Sequence, residues 1–366
     1  MEPRDRPPAT TGPDPADLGT AAIARRLLTD GRLLTDGRLL TGARLLDAWR
    51  LPSPTEVRRA DGGTNNVVLI VDVGASSYVL RIYQNLSQKR IAAEHRLLDA
   101  LAGAGLPFAV PQPIPTPEGR TYVETPDGFA ALFRYLPGRT ADGDSLAELE
   151  YAGEALALLG LALAELPAAL APIDWRMHPL DRMHPAVTDL DDLADELARA
   201  VPETDGVEWL RRHAGPTAGR YAELCRTLPV RIVHGDFAMS NLVVDDDGRP
   251  AAILDFEIAG LDVAVNEVVT GVAQAAGGWW SADEGQRASA FYRGFVRHIP
   301  LTSGERAAFP DLVRLRVLGT IVWRAGRWRL GQSHLDEVRL RLATGVHIGR
   351  WLDAHAATLP DDLAAL

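Results

Sequence analysis

Between residues 233 and 257 the chain reads VHGDFAMSNLVVDDDGRPAAILDFE: two short apolar runs, LVV and AAIL, joined through an acidic turn. Apolar runs separated by an Asp-Gly turn read as a β-hairpin. The sequence on either side is patterned differently. Beyond Pro137-Gly138 the chain is mainly helical, and from about Val263 to Ala357 apolar residues recur at helical spacing. A helical body broken once by a hairpin admits few architectures. His234, Gly235, Asp236, Asn241 and Asp255 crowd around the two runs, and polar residues of this kind do not suit a packed core.

Upstream the pattern is that of a small sheet. From Thr55 the chain gives a Gly-rich turn (GGTNN), a strand (VVLIVDV), a Gly-Ala-Ser-Ser turn and a second strand (YVLRIY). QKRIAAEHRLLDALAGAG places Ile91, Leu97, Leu98 and Leu101 at helical spacing and stops at Gly103–Gly105. A Pro-rich connector follows, then TYVE and FAALFRYL as further strands. Ser145 and Glu148 are spaced as a capping box for the next helix, whose apolar stripe runs through Leu146, Leu149, Gly153, Leu156, Gly160 and Leu163. The expected fold is α+β with two lobes: a small antiparallel-sheet lobe with one helix over residues 44–136, and a larger helical lobe over 137–366. With 366 residues the chain is too long for one ordinary core and suits two of roughly 100–200 residues each.

Residues 1–43 form a leader and a repeat extension. RLLTDG occurs at 26–31 and 32–37, with degenerate copies at 38–43 and 44–49. A six-residue step is far shorter than a solenoid repeat. It also turns a helix by about 240° without restoring a face. The copies read as a duplicated fragment of one short helix ending at Trp49.

A net charge of −11 argues against a nucleic-acid groove and suits a cationic or zwitterionic ligand. The N-terminus lacks the apolar core of a signal peptide, and no apolar run is long enough for a membrane span. The expected location is the cytoplasm. Cys225 is the one cysteine, which excludes an internal disulfide and reads as a buried structural thiol.

The polar constellation suits phosphoryl transfer, which asks the protein for positioned charges more than for covalent chemistry. Asp236 can accept a proton from an attacking hydroxyl. Asn241 offers an amide oxygen and Asp255 a carboxylate, both hard ligands for magnesium, and the hairpin would return Asp255 to the loop holding Asn241. Gly235 permits a sharp turn beside the base, and His234 props the loop through hydrogen bonds. The bland alternative is that the three residues cap turns around a hairpin.

HGDxxxxN followed by DFE resembles the catalytic and metal-binding loops of the aminoglycoside phosphotransferase superfamily, a branch of the protein-kinase-like fold. GGTNNVVLIV, YVLRIY, AAEHRLL and FRYLPGR stand upstream in matching order, and the layout of residues 44–357 is similar to the homoserine-kinase-type-II-like branch. The resemblance implies an ATP- and magnesium-dependent kinase acting on a small-molecule hydroxyl. It implies that Gly62, Gly63, Thr64 and Asn65 cover the nucleotide phosphates. It places Arg81 where protein kinases carry a phosphate-gripping lysine, with Glu94 as its partner, so Arg81 contacts phosphate or braces the lobe. Phe133 to Leu136, with Phe133 and Tyr135 as site residues, would form the adenine-facing hinge. Glu257 would support a second metal or orient Asp255, and Glu267 would reach back to the catalytic-loop backbone.

The acceptor is read from the helical lobe. Trp279, Trp280, Trp323, Arg324 and Trp328 offer aromatic faces for an ammonium and a guanidinium for a carboxylate, though tryptophans also fill gaps between helices. Homoserine or an aminoglycoside-type antibiotic would fit. The competing readings are a nucleotide-binding pseudokinase without turnover and a protein kinase. The second is disfavoured by the short interval between Asp255 and the next helix.

Overall fold

The computed structural model describes residues 33–35, 38–40, 45–60, 66–83, 86–125, 128–174, 180–202 and 204–366. Gly62, Gly63, Thr64 and Asn65 lie outside them, as does most of the leader.

The first lobe is a five-stranded antiparallel sheet. Its strands are β3 (Glu56–Arg59), β4 (Asn66–Val73), β5 (Ser76–Tyr83), β6 (Val123–Thr125) and β7 (Gly128–Arg134), in the order β3-β4-β5-β7-β6. β4 and β5 pair over eight positions from Asn66↔Tyr83 to Val73↔Ser76, and β5 continues onto β7 with Arg81 opposite Ala131. The alternation of apolar residues puts Val67, Leu69, Val71, Leu80, Ile82, Ala130 and Leu132 into one core. Leu45, Leu46 and Trp49, from the last hexamer copy, close that core, and Trp49 Nε1 donates to the Ile114 carbonyl at 2.7 Å.

The repeat was expected to be helical, and the structure corrects this. Among the described residues, parts of two copies pair as antiparallel strands, β1 (Leu33–Thr35) with β2 (Arg38–Leu40), and residues 45–49 are helical. The physical reason is parity. Six residues are three full strand repeats, so a six-residue period is commensurate with a strand and not with a helix.

Helix α1 (Gln88–Ala102) packs on the sheet, capped by Ser87, whose hydroxyl accepts from Arg90 N. Its buried face carries Ile91, Leu98 and Leu101 and also the charged Glu94.

The second lobe holds α2 (Leu146–Ala164), α3 (Leu190–Ala200), α4 (Thr204–Thr227), α5 (Asn266–Ala275), α6 (Ala282–Val296), α7 (Ser303–Arg329), α8 (Leu335–His355) and α9 (Leu359–Ala365). Two small sheets interrupt it, β10 (Val230–Val233) beside β13 (Gly260–Val263) and β9 (Ile173–Asp174), and β12 (Pro250–Ile253) beside β11 (Leu242–Val244) and β8 (Arg139–Thr140). The glycine within the α2 stripe has a packing cause. A Cβ on Gly153 would stand 2.0 Å from the Phe291 carbonyl oxygen, and one on Gly294 equally close to that of Glu150, so α2 and α6 touch backbone to backbone. The capping box expected at Ser145 is half made. Ser145 Oγ accepts from Glu148 N, but the Glu148 carboxylate turns away to Arg139 and the Asp142 N–H. Cys225, expected to be buried, is half-buried on α4. Among the described residues no helix is long and apolar enough to cross a membrane.

Candidate active site

Strand β10 ends by delivering His234, Gly235 and Asp236 between the lobes, and the turn there is held from behind. Glu267, on the first turn of α5 and 1% exposed, accepts from His234 N at 2.5 Å and from Gly235 N at 3.3 Å. Burial raises its carboxyl, opposed by His234 and these two N–H groups. His234 is fully buried; its Nε2–H donates to the Leu254 carbonyl at 2.9 Å and its Nδ1 accepts from Asp236 N at 3.3 Å. It props the loop through these two hydrogen bonds. Gly235 has φ of +80° and a Cβ there would meet the Ile258 carbonyl at 3.2 Å, so a side chain would be strained as well as crowded.

The hairpin register brings the remaining oxygens together. Leu242 pairs with Ile253, and Leu254 N donates to the Asn241 carbonyl at 2.8 Å, so Asn241 and Asp255 emerge side by side. Asn241 Nδ2 donates to the Asp236 carbonyl at 3.0 Å, which aims its Oδ1 the other way. Asp255 is held at φ +64°, a left-handed conformation uncommon for aspartate and concentrated at functional sites. Its Oδ1 accepts from Arg81 Nη2 at 2.8 Å. A carboxylate oxygen and an amide oxygen are a hard donor set, suited to a divalent cation that completes its sphere with phosphate and water. Among the described residues no group of three or more His, Cys, Asp or Glu side chains is arranged to hold a metal alone.

From the first lobe, Arg81 on β5 reaches across. It contacts Glu94 Oε1 at 3.2 Å, Asp255 Oδ1 at 2.8 Å and Glu257 Oε2 at 2.6 Å. Desolvation opposes its charge, and Glu94, Asp255 and Glu257 more than offset that, so the guanidinium is held firmly protonated. Burial pushes Glu94 up to about 7 while Arg81 pulls it down. Glu257 also accepts from Asn66 Nδ2 at 2.6 Å, and its carbonyl from Arg90 Nη2 at 3.0 Å. The acidic residue after Phe256 thus joins the lobes. At the expected hinge, Phe133 is buried on β7, edge-on to His95, and the Tyr135 N–H is committed to the Ser77 carbonyl at 3.2 Å.

Two residues that the sequence did not single out complete the surroundings of Asp236. Gln274 Nε2 at the end of α5 donates to Asp236 Oδ1, and Arg316 Nη2 on α7 reaches the same oxygen at 3.3 Å. Arg316 Nη1 also donates to the Gly235 carbonyl at 3.2 Å. With both donors on Oδ1, Oδ2 is the atom left to accept a proton. The one signal available for Arg316 was its place among Leu312, Val313 and Val317, an arginine on a buried helical face.

A cleft of about 360 Å³ opens against Ala238, Met239 and Ser240 of the catalytic loop, bounded by Gln274 to Gly277, with Asp144 and Arg287 among its lining. The tryptophans sit elsewhere. Trp279 packs on Tyr292 and Phe309, Trp280 on Trp351, and the exposed Trp323 against His184. Arg324 pairs with Glu337 at 2.9 Å.

A sheet lobe and a helical lobe that meet over Asp236, Asn241, Asp255 and Arg81 define a phosphoryl-transferring enzyme of kinase-like architecture. The model of the phosphotransferase enzyme family (APH) matches residues 56–301, and the chain belongs to that family. A homoserine kinase of Caulobacter vibrioides (strain NA1000 / CB15N) is 26% identical over 299 residues, spanning 77% of this chain and 85% of its own. The solved structure of a microcompartment-associated aminopropanol kinase superposes with a TM-score of 0.61 at 18% identity, covering 86% of this chain and 97% of its own. An amicoumacin kinase in complex with AMP-PNP and Ca2+ gives 0.60 at 16% identity, over 86% of this chain and 91% of its own. The protein is a small-molecule kinase, and its relatives imply ATP as phosphate donor.

Proposed function

We propose that this enzyme moves the γ-phosphate of ATP to the hydroxyl of a small amine-bearing alcohol, with homoserine the first candidate and an aminoglycoside-type antibiotic the second. The observation that carries this is the convergence of Asp236, Asn241 and Asp255 beside a cleft of about 360 Å³, a size suited to a small molecule. Two kinases to which the chain is similar carry homoserine and aminopropanol in their names, and both are amine-bearing alcohols.

In this reading Asp236 Oδ2 accepts the hydroxyl proton as the alcohol oxygen attacks the γ-phosphorus. The bond from that phosphorus to the β–γ bridging oxygen breaks, and ADP leaves with the electron pair. Gln274 and Arg316 fix the carboxylate plane through Oδ1. Arg81, oriented by Glu94, meets the nucleotide phosphates, and the segment containing Gly62, Gly63, Thr64 and Asn65 covers them. Asn241 Oδ1 and Asp255 would hold magnesium, which supplies charge neutralisation between the phosphates. A cytoplasmic location accords with use of ATP.

An ADP-release screen of the purified chain against amino alcohols, aminoglycosides and neutral sugars tests the reading. The expected result is acceptor-dependent ADP from amine-bearing alcohols. Nucleotide binding with no ADP from any acceptor would overturn it.

A further inference from the structure

The first residue of β4 is an asparagine, a type that strands disfavour, and it is only 6% exposed. Asn66 stands opposite Tyr83 in the β4–β5 register, but its side chain leaves the first lobe. Nδ2 donates to Glu257 Oε2 at 2.6 Å, a short bond between residues 191 apart in the chain. A buried amide costs stability unless it is bonded, and here the partner comes from the second lobe.

Glu257 is well held to receive it. The same Oε2 accepts from Arg81 at 2.6 Å, and the Glu257 carbonyl accepts from Arg90 at 3.0 Å. The preceding Phe256 is buried with its ring 4.7 Å from that of His234, centroid to centroid, so the core of the second lobe fixes Glu257 to the catalytic loop. Asp255 stands two residues before it. One residue therefore joins β4, β5 and α1 to the loop that presents Asp255. Arg81 and Arg90 make that junction with charged donors, and charge is tolerant of direction. Asn66 adds a directional tie, and it does so where the Gly62, Gly63, Thr64, Asn65 segment enters the sheet.

We propose that Asn66 is a positioning residue for the nucleotide phosphates: through Glu257 it sets where the segment 62–65 stands over the metal-binding loop. The proposal rests on the kinase reading above, in which that segment covers the phosphates. It gives Asn66 a part in holding the triphosphate and none in holding adenine or the acceptor. Loss of the amide frees the end of the segment, so the cover loosens while both lobes remain joined through Arg81 and Arg90.

Asn66→Leu keeps the size of the side chain and removes the donor; Asn66→Ala serves if the leucine variant fails to fold. Binding of AMP-PNP with magnesium is measured by calorimetry and binding of adenosine by NMR titration. The variant should bind AMP-PNP about 10-fold more weakly, within the worth of a hydrogen bond to a charged group, and adenosine as well as the wild type does. KM for ATP should rise by a similar factor, with a smaller change in kcat. In a Glu257→Gln background the same substitution should weaken AMP-PNP binding little further, because the two residues act as a unit. Unchanged AMP-PNP affinity, equal losses for AMP-PNP and adenosine, or additive losses in the double variant overturns the proposal and leaves the transfer reading standing. The expected loss of AMP-PNP affinity in a chain that releases no ADP with any acceptor would overturn the transfer reading and leave the positioning role in place.

Discussion

Two arginines approach the Asp255 and Asp236 carboxylates from opposite lobes, and they are held very differently. Arg81 has three carboxylate partners at 2.6 to 3.2 Å, and its side chain is only 13% exposed. Among the described residues Arg316 has one carboxylate partner, Asp236, at 3.3 Å. The first arrangement spends a cation on joining the lobes, because Glu94 and Glu257 are buried and need it. The second leaves a cation under-committed beside the reacting atoms. A well-paired arginine belongs to the scaffold and to the nucleotide, whereas a poorly paired one at the same site is available to a ligand.

The comparison turns on Asp236, the one carboxylate Arg316 meets. Asp236→Asn should lose about 10²–10⁴-fold in turnover, the usual worth of a positioned base, with little change in ATP affinity. Steady-state kinetics with nucleotide titration checks both, and near-native turnover would remove Asp236 from the chemistry.

The next largest effect is expected at Arg81. Arg81→Met strands Glu94 without its partner and should destabilise the chain by about 3–5 kcal/mol in chemical denaturation. Arg81→Lys should do less harm to stability, yet weaken ATP binding, because a point charge cannot bridge Glu94, Asp255 and Glu257 together. If Arg81→Met proved as stable as wild type, the contrast with Arg316 would dissolve.

A smaller effect follows from two buried neighbours on α1. Glu94 is raised to about 7 by burial, so between its ordinary value near 4.5 and 7 the folded state binds more protons and stability falls as pH rises. His95 is pushed down to about 4 by burial and by Arg81, so between 4 and 6.5 the unfolded state binds more protons and stability rises with pH. The two slopes oppose each other from about 4.5 to 6.5. Wild-type stability should be nearly flat there, and Glu94→Gln should uncover a rise approaching ~1.4 kcal/mol per pH unit. Denaturant titrations at three pH values decide it; a flat profile in the variant would place His95 elsewhere.

The smallest effect is expected from the leader. Removing residues 1–43 leaves Leu45, Leu46 and Trp49 in the sheet core, so the Michaelis constant for ATP should not change. A large loss of activity in a folded truncation would give the repeat a part in the site.

Legibility followed chain distance. Asp236, Asn241 and Asp255 lie within one hairpin whose turn and apolar runs fix the register, so their convergence could be read before any fold was known. Glu94 was harder, because a charge on the buried face of a helix makes sense only once β5 has brought Arg81 across from it. Glu267 was anticipated through resemblance, and it does hold the His234 and Gly235 amides. The tryptophans misdirect attention. In sequence they stand out as an acceptor pocket, yet the half-buried Trp279 and Trp280 pack their rings on Phe309 and Trp351, away from Asp236.

The sequence by itself determined the long strands of the first sheet, helix α1 and the hairpin that carries Asn241 and Asp255, because periodicity and turn chemistry are local properties. Only the tertiary structure decided what surrounds Asp236. Gln274 comes from the end of α5 and Arg316 from the middle of α7, and helical periodicity says which face of each helix is buried without saying what that face will meet. Helix placement rests on contacts such as that of Gly153 with Phe291, made between residues far apart in the chain.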